Sequence, residues 1–329
     1  MLQAIEIVYK RELKVSFGNE NPDKTFYIIR CGVKTIEGTG LFAIVMHTLT
    51  HIAYATEHGW VPVVDLQNID NQYLDANLLG KENAWEYFFL QPMDYTLKDI
   101  QHSKNIVISR RMDSPRKKYY VSPLAILNDE YLFMYYKNLF KNYIRYTEKV
   151  QSYLDSDYNR ILKNKERVLG VLVRGTDYTL KKAPMHHIQP DFHEVIKKAQ
   201  AVMESYTYTY IYIATESQEC YDLFKNYFGE KLLDSGQKRY SEDDLKNVQW
   251  LSQVRFEGDN KVCRGFEYLS TINMLSKCTS FIGGLVSPIP AVYFMADKFE
   301  YDFIYELGFY PPAGIVAEIK RLIKKYFCN

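Results

Sequence analysis

No window of the chain approaches the roughly 20 consecutive apolar residues needed to cross a bilayer. The opening MLQAIEIVYKRELK is amphipathic and has no apolar centre of the kind a secretory signal carries. Neither a membrane span nor signal-directed secretion is expected. Cysteine is scarce: Cys31, Cys220, Cys263, Cys278 and Cys328 are scattered, odd in number and without a CxxC pair. That argues against a disulfide framework or a zinc site and suits reduced thiols in the cytoplasm. An excess of cations is also missing, because 41 Lys and Arg face 40 Asp and Glu for a net charge of +1. Bulk attraction to nucleic acid, which needs many clustered cations, is not expected. No GxGxxG follows a strand, which removes the main signature of a nucleotide-dependent dehydrogenase.

What is present is the material for two α/β domains. At 329 residues, 47% hydrophobic and 25% charged, the chain is long for a single core. Tyrosine is abundant at 29 residues, and a phenol offers both an apolar face and a polar tip, so it suits sugar stacking as well as ordinary packing.

In the first half, TFYIIRCGV reads as a strand, TIEGTG as a glycine-containing loop, LFAIVMHTLTHIAYATEHG as a helix and WVPVVDL as a second strand. This is a β-loop-α-β unit, expected to form a parallel sheet with a right-handed crossover. Glu37 in the loop and Asp65 at the second strand's end are the carboxylates expected to face an interdomain cleft, as a base for an acceptor hydroxyl or as solvated acids. His47 and His51 lie four apart on the helix but lack an evident third metal ligand. Residues 70–122 are irregular; Trp85 there suits either an acceptor groove or a lid on the core. Residues 128–167 are helical in period, and Asp155-Ser156-Asp157 inside them resembles a metal-binding DxD, although a helix-end turn is the expectation.

The second half opens on VLGVLVRGTDYTLKKAPMHHIQPD, residues 168–191. Residues 168–173 form a β-branched apolar run of strand length, and Arg174, Gly175, Thr176 and Asp177 follow at once. Asp191 then caps a helical pattern. In open α/β sheets ligands sit beyond the carboxyl ends of strands, where a guanidinium can meet a phosphate pair. Strand TYTYIYIAT, helix SQECYDLFKNYFG, helix GFEYLSTINMLSKC and strand TSFIGG continue the alternation.

RGTDY, HHIQP, the strand ending IATES, and CRGFEYLSTINMLSKCTSFIGG followed by Ser287 resemble, in order and spacing, the donor-side motifs of fucosyltransferases. The pattern is most similar to the α1,6 branch of a superfamily that includes α1,2- and protein O-fucosyltransferases. The resemblance implies an α/β protein of the GT-B architecture, two Rossmann-like domains facing across a cleft. Residues 1–165 would form the acceptor-side domain and 166–329 the nucleotide-sugar domain, with the final helix packing back on the first. It also implies inverting, metal-independent transfer from a GDP-sugar, most simply GDP-fucose, to a glycan hydroxyl, with bacterial surface polysaccharide as the setting. Such a chain would be cytoplasmic, and a lipid-linked acceptor would bring it to the inner face of the membrane. No cofactor or metal is implied.

By position, Arg174 would stabilise the leaving diphosphate and Asp177 would orient it. Thr215, Glu216, Arg264, Gly283, Gly284 and Ser287 match the segments that gather nucleotide and phosphate contacts. The chain departs from the family at Leu172 and Gly175, where a His and a second Arg are usual, and at Lys182, where the family has its proposed catalytic acid. The base is therefore open between Glu37 and the alternatives His186 and His187, whose imidazoles titrate near working pH. Rival readings are a transferase using another GDP-hexose or GDP-heptose, and a non-catalytic nucleotide-sugar or glycan binder.

Overall fold

The computed structural model describes residues 12–30, 39–110, 114–119, 122–182, 184, 186–248, 251, 254 and 260–311. Glu37 and the final amphipathic segment lie outside the described residues. The chain divides into two compact units: Met1–Asn164 with Arg255–Lys277 and Ser287–Asp297, and Lys165–Val254 with Cys278–Val286 and Lys298–Asn329. No described helix is long and apolar enough to cross a membrane.

The first unit holds a four-stranded sheet of β1 (Leu13–Val15), β2 (Glu20–Ile29), β3 (Val61–Val64) and β4 (Ser103–Ile108), in the order β1-β4-β2-β3. β2 is parallel to β3 and to β4, and β1 closes one edge antiparallel. α1 (Leu41–Glu57) is the crossover between β2 and β3. Alternation on the strands sorts the two faces. Phe26, Ile28, Val63, Ile106 and Ile108 pack with Leu97 and Ile100, whereas Tyr27 points to α1, its hydroxyl 3.0 Å from Nδ1 of the buried His51. β4 falls in the stretch read as irregular; its signal was only the short run Ile106-Val107-Ile108.

The ends of β2 and β3 are tied by a buried ion pair. Arg30 Nε lies 2.7 Å from Asp65 Oδ2, with side chains 1% and 0% exposed. Asp65 Oδ1 also accepts the backbone N–H of Gln67 at 3.1 Å and of Asn68 at 3.0 Å. This corrects the expectation of an acceptor-side carboxylate: Asp65 is enclosed and its oxygens are committed to its own unit. For Trp85 the acceptor-groove reading is corrected and the core reading stands, since it is fully buried and donates Nε1–H to the Leu90 carbonyl at 3.1 Å.

Three helices follow, α2 (Pro123–Asn128), α3 (Glu130–Tyr143) and α4 (Glu148–Ile161), capped by the side chains of Ser122, Asp129 and Thr147. Asp155-Ser156-Asp157 lies inside α4 and not at a helix-end turn. Its buried member, Asp157, accepts from Ser270 Oγ at 2.5 Å and pairs with Arg160 at 2.6 Å. Ser270 belongs to α8 (Lys261–Ser276). This helix and α9 (Ile289–Met295) were expected in the second domain, yet they group with the first unit. Tight packing fixes α8 there, because a Cβ on Gly265 would stand 2.3 Å from the Phe88 ring. Lys137 Nζ fixes α9 by donating to the carbonyls of Tyr293 and Ala296 at 3.3 and 2.9 Å.

The second unit is built on five parallel strands: β5 (Val168–Leu172), β6 (Tyr210–Ala214), β7 (Leu232–Leu233), β8 (Ser280–Gly284) and β9 (Asp302–Tyr305), in the order β7-β6-β5-β8-β9. α6 (Phe192–Tyr206) and α7 (Gln218–Phe228) cover one face. Leu169, Val171, Ile211, Ile213 and Ile282 from the strands bury against Val195, Ile196, Ala199 and Phe224. A short helix, α5 (Thr176–Leu180), stands directly behind β5, where the sequence suggested only a turn. The strand order reverses between β5 and β8, which makes the carboxyl ends of those strands the topological switch point.

Breaking a buried ion pair leaves a charge without its partner and costs about 3–5 kcal/mol. Asp65→Ala is expected to lose stability on that scale in urea denaturation, whatever its effect on activity; a loss below about 1 kcal/mol would contradict a structural role.

Candidate functional site

Leu172 pairs in register with Ala214 on one side and Gly283 on the other, so three strands of the second unit end at one level. Beyond that level run Arg174-Gly175, Thr215-Glu216 and Gly284-Leu285. Val173 donates its N–H to the Ala214 carbonyl at 3.0 Å, which keeps β5 paired to the residue before Arg174.

Glu216 gathers the turn after β5. Its Oε1 accepts the Gly175 N–H at 3.0 Å and the Thr176 hydroxyl at 2.8 Å, and lies 3.3 Å from Arg174 Nε. Asp177 holds the other edge: Oδ1 accepts from Arg174 Nη2 at 2.9 Å, and Oδ2 accepts the Leu251 N–H at 3.1 Å. The guanidinium carbon sits 4.7 Å from the centre of the Tyr178 ring. Burial raises the Tyr178 hydroxyl above its ordinary pKa, so the ring remains a neutral phenol at working pH. Arg174 is thus oriented on two edges and one face, while its side chain stays 20% exposed.

The turn requires particular residues. A Cβ on Gly175 would stand 2.6 Å from Ser217 Cβ and 3.1 Å from Phe192 Cζ, so only glycine lets the loop close on Glu216. Thr176 has φ +48°, a left-handed conformation that β-branched residues rarely adopt and that costs about 1–3 kcal/mol. The Thr176 hydroxyl bond to Glu216 helps hold that conformation.

The other residues picked out from the sequence fall as follows. Thr215 is buried; its hydroxyl accepts the Ser217 N–H at 3.2 Å and its carbonyl accepts from Gln237. Gly283 and Gly284 close strand β8, in line with the strand read over TSFIGG. Gly284 admits the connector after α5, since a Cβ there would lie 2.3 Å from Gln189 Oε1 and 3.1 Å from Pro190 Cδ. Gln189 Nε2 reaches the Leu285 carbonyl at 3.1 Å, tying that connector to the exit of β8. His186 packs edge-on against Tyr178 with centroids 5.3 Å apart, and His187 lies against Phe309 at 4.2 Å. Burial first, and then the neighbouring His186, lowers the His187 pKa from its ordinary value.

Arg264 and Ser287 belong to the first unit, the former in the opening turn of α8 and the latter just before α9. The second unit therefore gathers Arg174, Asp177, Thr215, Glu216, Gly283, Gly284, His186 and His187. Tyr178, Gln189 and Phe309 were not singled out from the sequence. Tyr178, four residues after Arg174, had the spacing to be found; Phe309 had no local signal. Among the described residues no three or more His, Cys, Asp or Glu are grouped as a metal site.

No protein-family model and no curated protein matches the chain. Solved structures do. The structure of POFUT1 in complex with GDP-fucose aligns with a TM-score of 0.51 and 8% identity, over 86% of this chain and 98% of that one. A mutant of Arabidopsis thaliana FUT1 in complex with GDP gives 0.50 and 9%, over 85% and 70%. Fucosyltransferase NodZ from Bradyrhizobium gives 0.46 and 13%, over 83% and 94%. At such identities the first two alignments establish the fold: this chain is an α/β protein with the GT-B fold of fucosyltransferase-like structures.

Gly175→Ala is expected to cost about 1–3 kcal/mol through overpacking. Ser217→Gly, which removes the nearest obstructing atoms, should return part of that loss. A double-mutant cycle in urea with no coupling between the two positions would show that the turn does not close on Ser217 as described.

Proposed function

We propose that the chain is an inverting glycosyltransferase that moves a sugar, most simply fucose, from a GDP-sugar to a glycan hydroxyl without a metal ion. The carrying observation is Arg174, held by two carboxylates and an aromatic face at the switch point of a parallel sheet. The fold shared with POFUT1, solved with GDP-fucose, and with Arabidopsis FUT1, solved with GDP, supports the choice of donor.

In this reading the acceptor oxygen forms a bond to the anomeric carbon on the face opposite the nucleotide. The bond from that carbon to the β-phosphate oxygen breaks, its electron pair leaves with GDP, and the acceptor proton passes to a base. Glu37 is the first choice for that base, with His186 and His187 as alternatives. Arg174 stabilises the charge that grows on the departing phosphate, in the manner of a preorganised donor. Asp177 and Glu216 act on it by fixing its orientation. Thr215, Gly283 and Gly284 shape the same edge of the sheet for the nucleotide, and Arg264 and Ser287 add donor contacts from their own segments. The first unit serves the acceptor, and the parallel strands of the second unit serve the donor. Bacterial surface polysaccharide synthesis in the cytoplasm, with peripheral membrane association through a lipid-linked acceptor, is the biological setting that fits.

A second reading has an observation of its own. Lys182 occupies the place of the family's acid, which suits a binder of nucleotide-sugars or glycans that has lost turnover.

A thermal-shift panel of GDP, UDP, CDP and ADP sugars separates these readings. GDP-fucose is expected to raise the midpoint selectively, with stabilisation of about 2.7 kcal/mol at a hundredfold excess over Kd; preference for another base would overturn the GDP assignment. Arg174→Ala should lower transfer by about 100-fold or more while Arg174→Lys retains part of it. Binding with no GDP release to any acceptor would favour the non-catalytic reading. Transfer should survive EDTA, and an absolute requirement for manganese or magnesium would remove the metal-free step alone.

A further inference from the structure

The segment after β9 is clipped to the connector after α5. Ile188 donates its N–H to the Gly308 carbonyl at 3.0 Å, Tyr310 donates to the His186 carbonyl at 2.9 Å, and His187 and Phe309 are antiparallel partners. Gly308, at φ +82°, supplies the left-handed residue the clip needs. The clip lays the Phe309 ring on the His187 imidazole with centroids 4.2 Å apart and planes 33° from parallel, and leaves Phe309 52% exposed. Leu307, two residues earlier, is 45% exposed. Inward from this pair the contacts run to the guanidinium: His186 packs on Tyr178, and Tyr178 lies under Arg174.

A single exposed apolar side chain needs no explanation. Phe309 differs because hydrogen bonds of its two neighbours, Gly308 and Tyr310, pin its segment against the connector that leads to Arg174, and the His187 ring lies against its own. An aromatic face beside a neutral imidazole matches the chemistry of a pyranose, which has an apolar C–H face and a rim of hydroxyls. The lowered pKa of His187 keeps that imidazole neutral near pH 7, able to donate at one nitrogen and accept at the other.

We propose that Phe309, backed by His187, is the stacking platform of the acceptor subsite and takes the apolar face of a pyranose ring. The proposal rests on Arg174 as the diphosphate ligand. The donor sugar hangs from the phosphate and occupies the first ring position out from Arg174, beside Tyr178 and His186. The acceptor ring lies one position further, over Phe309. Recognition of the acceptor would then lie partly on the nucleotide-binding unit.

Saturation-transfer NMR on the full chain with GDP present, using the methyl glycosides of glucose, galactose, mannose and N-acetylglucosamine as probes, tests this. Wild-type protein is expected to saturate at least one glycoside. Phe309→Ala should weaken that binding about 3- to 10-fold, the scale of one aromatic contact, Phe309→Trp should restore it, and the GDP midpoint shift should be unchanged in both. Absence of saturation in the wild type, or equal binding by Phe309→Ala, overturns the platform. If GDP fails to stabilise the wild type while glycoside binding is still lost in Phe309→Ala, the platform stands as a sugar site and the donor reading falls instead.

Discussion

The hold of Glu216 and Asp177 on Arg174 is the constraint around which the second unit is arranged. Each carboxylate does more than pair with the guanidinium: Glu216 also takes a backbone N–H and a hydroxyl from the turn after β5, and Asp177 takes the N–H of Leu251. One side-chain position is thereby coupled to three separate stretches of chain. A free arginine side chain carries about 2 kcal/mol of rotamer entropy. Here much of that cost is met on folding, so the guanidinium is already oriented by its own neighbours. The glycine at 175 and the left-handed threonine at 176 follow from the same demand, because the turn must come close enough for one carboxylate to serve it.

The first unit shows the same chemistry used for the opposite end. Arg30 and Asp65 also stand at strand ends and also form a guanidinium–carboxylate pair, but with both side chains sealed from water their charges are spent on each other. Apart from the motif around Arg174, local pattern does not separate the two arginines: each follows an apolar strand and precedes a glycine-containing segment. Exposure separates them, and exposure depends on what packs over the strand end.

That contrast explains what was legible in the sequence. The strand from Val168, the helix capped by Asp191 and the crossover helix α1 were readable because their signals are local: β-branched runs, a capping aspartate, a 3.6-residue period. The role of Gly284 was not, since its neighbour Gln189 comes from a segment almost a hundred residues earlier. β4 was missed because its first half, Ser103-Lys104-Asn105, is polar, and β9 because it is short and owes its stability to pairing in a sheet already formed. α8 and α9 were placed in the wrong unit for a related reason. Their amphipathic pattern records that one face is buried, while the Phe88–Gly265 and Lys137–carbonyl contacts that decide where are invisible in either segment alone. Asp155-Ser156-Asp157 shows the converse error: a pattern read as a helix-end turn lies inside a capped helix, where Asp157 is held by Arg160 and Ser270.

Charge bears on how the site could work. Two carboxylates and one guanidinium sum to −1, so Arg174 cannot make the strand ends electropositive by itself. Any anion brought to these strand ends therefore needs donors beyond Arg174. The effective dielectric around a partly exposed group weakens repulsion between like charges more as water has greater access, and removal of water strengthens every term, attractive and repulsive alike. An anion held by Arg174 alone would therefore be penalised as water leaves, whereas one that also meets further cations or N–H groups would be favoured by the same change.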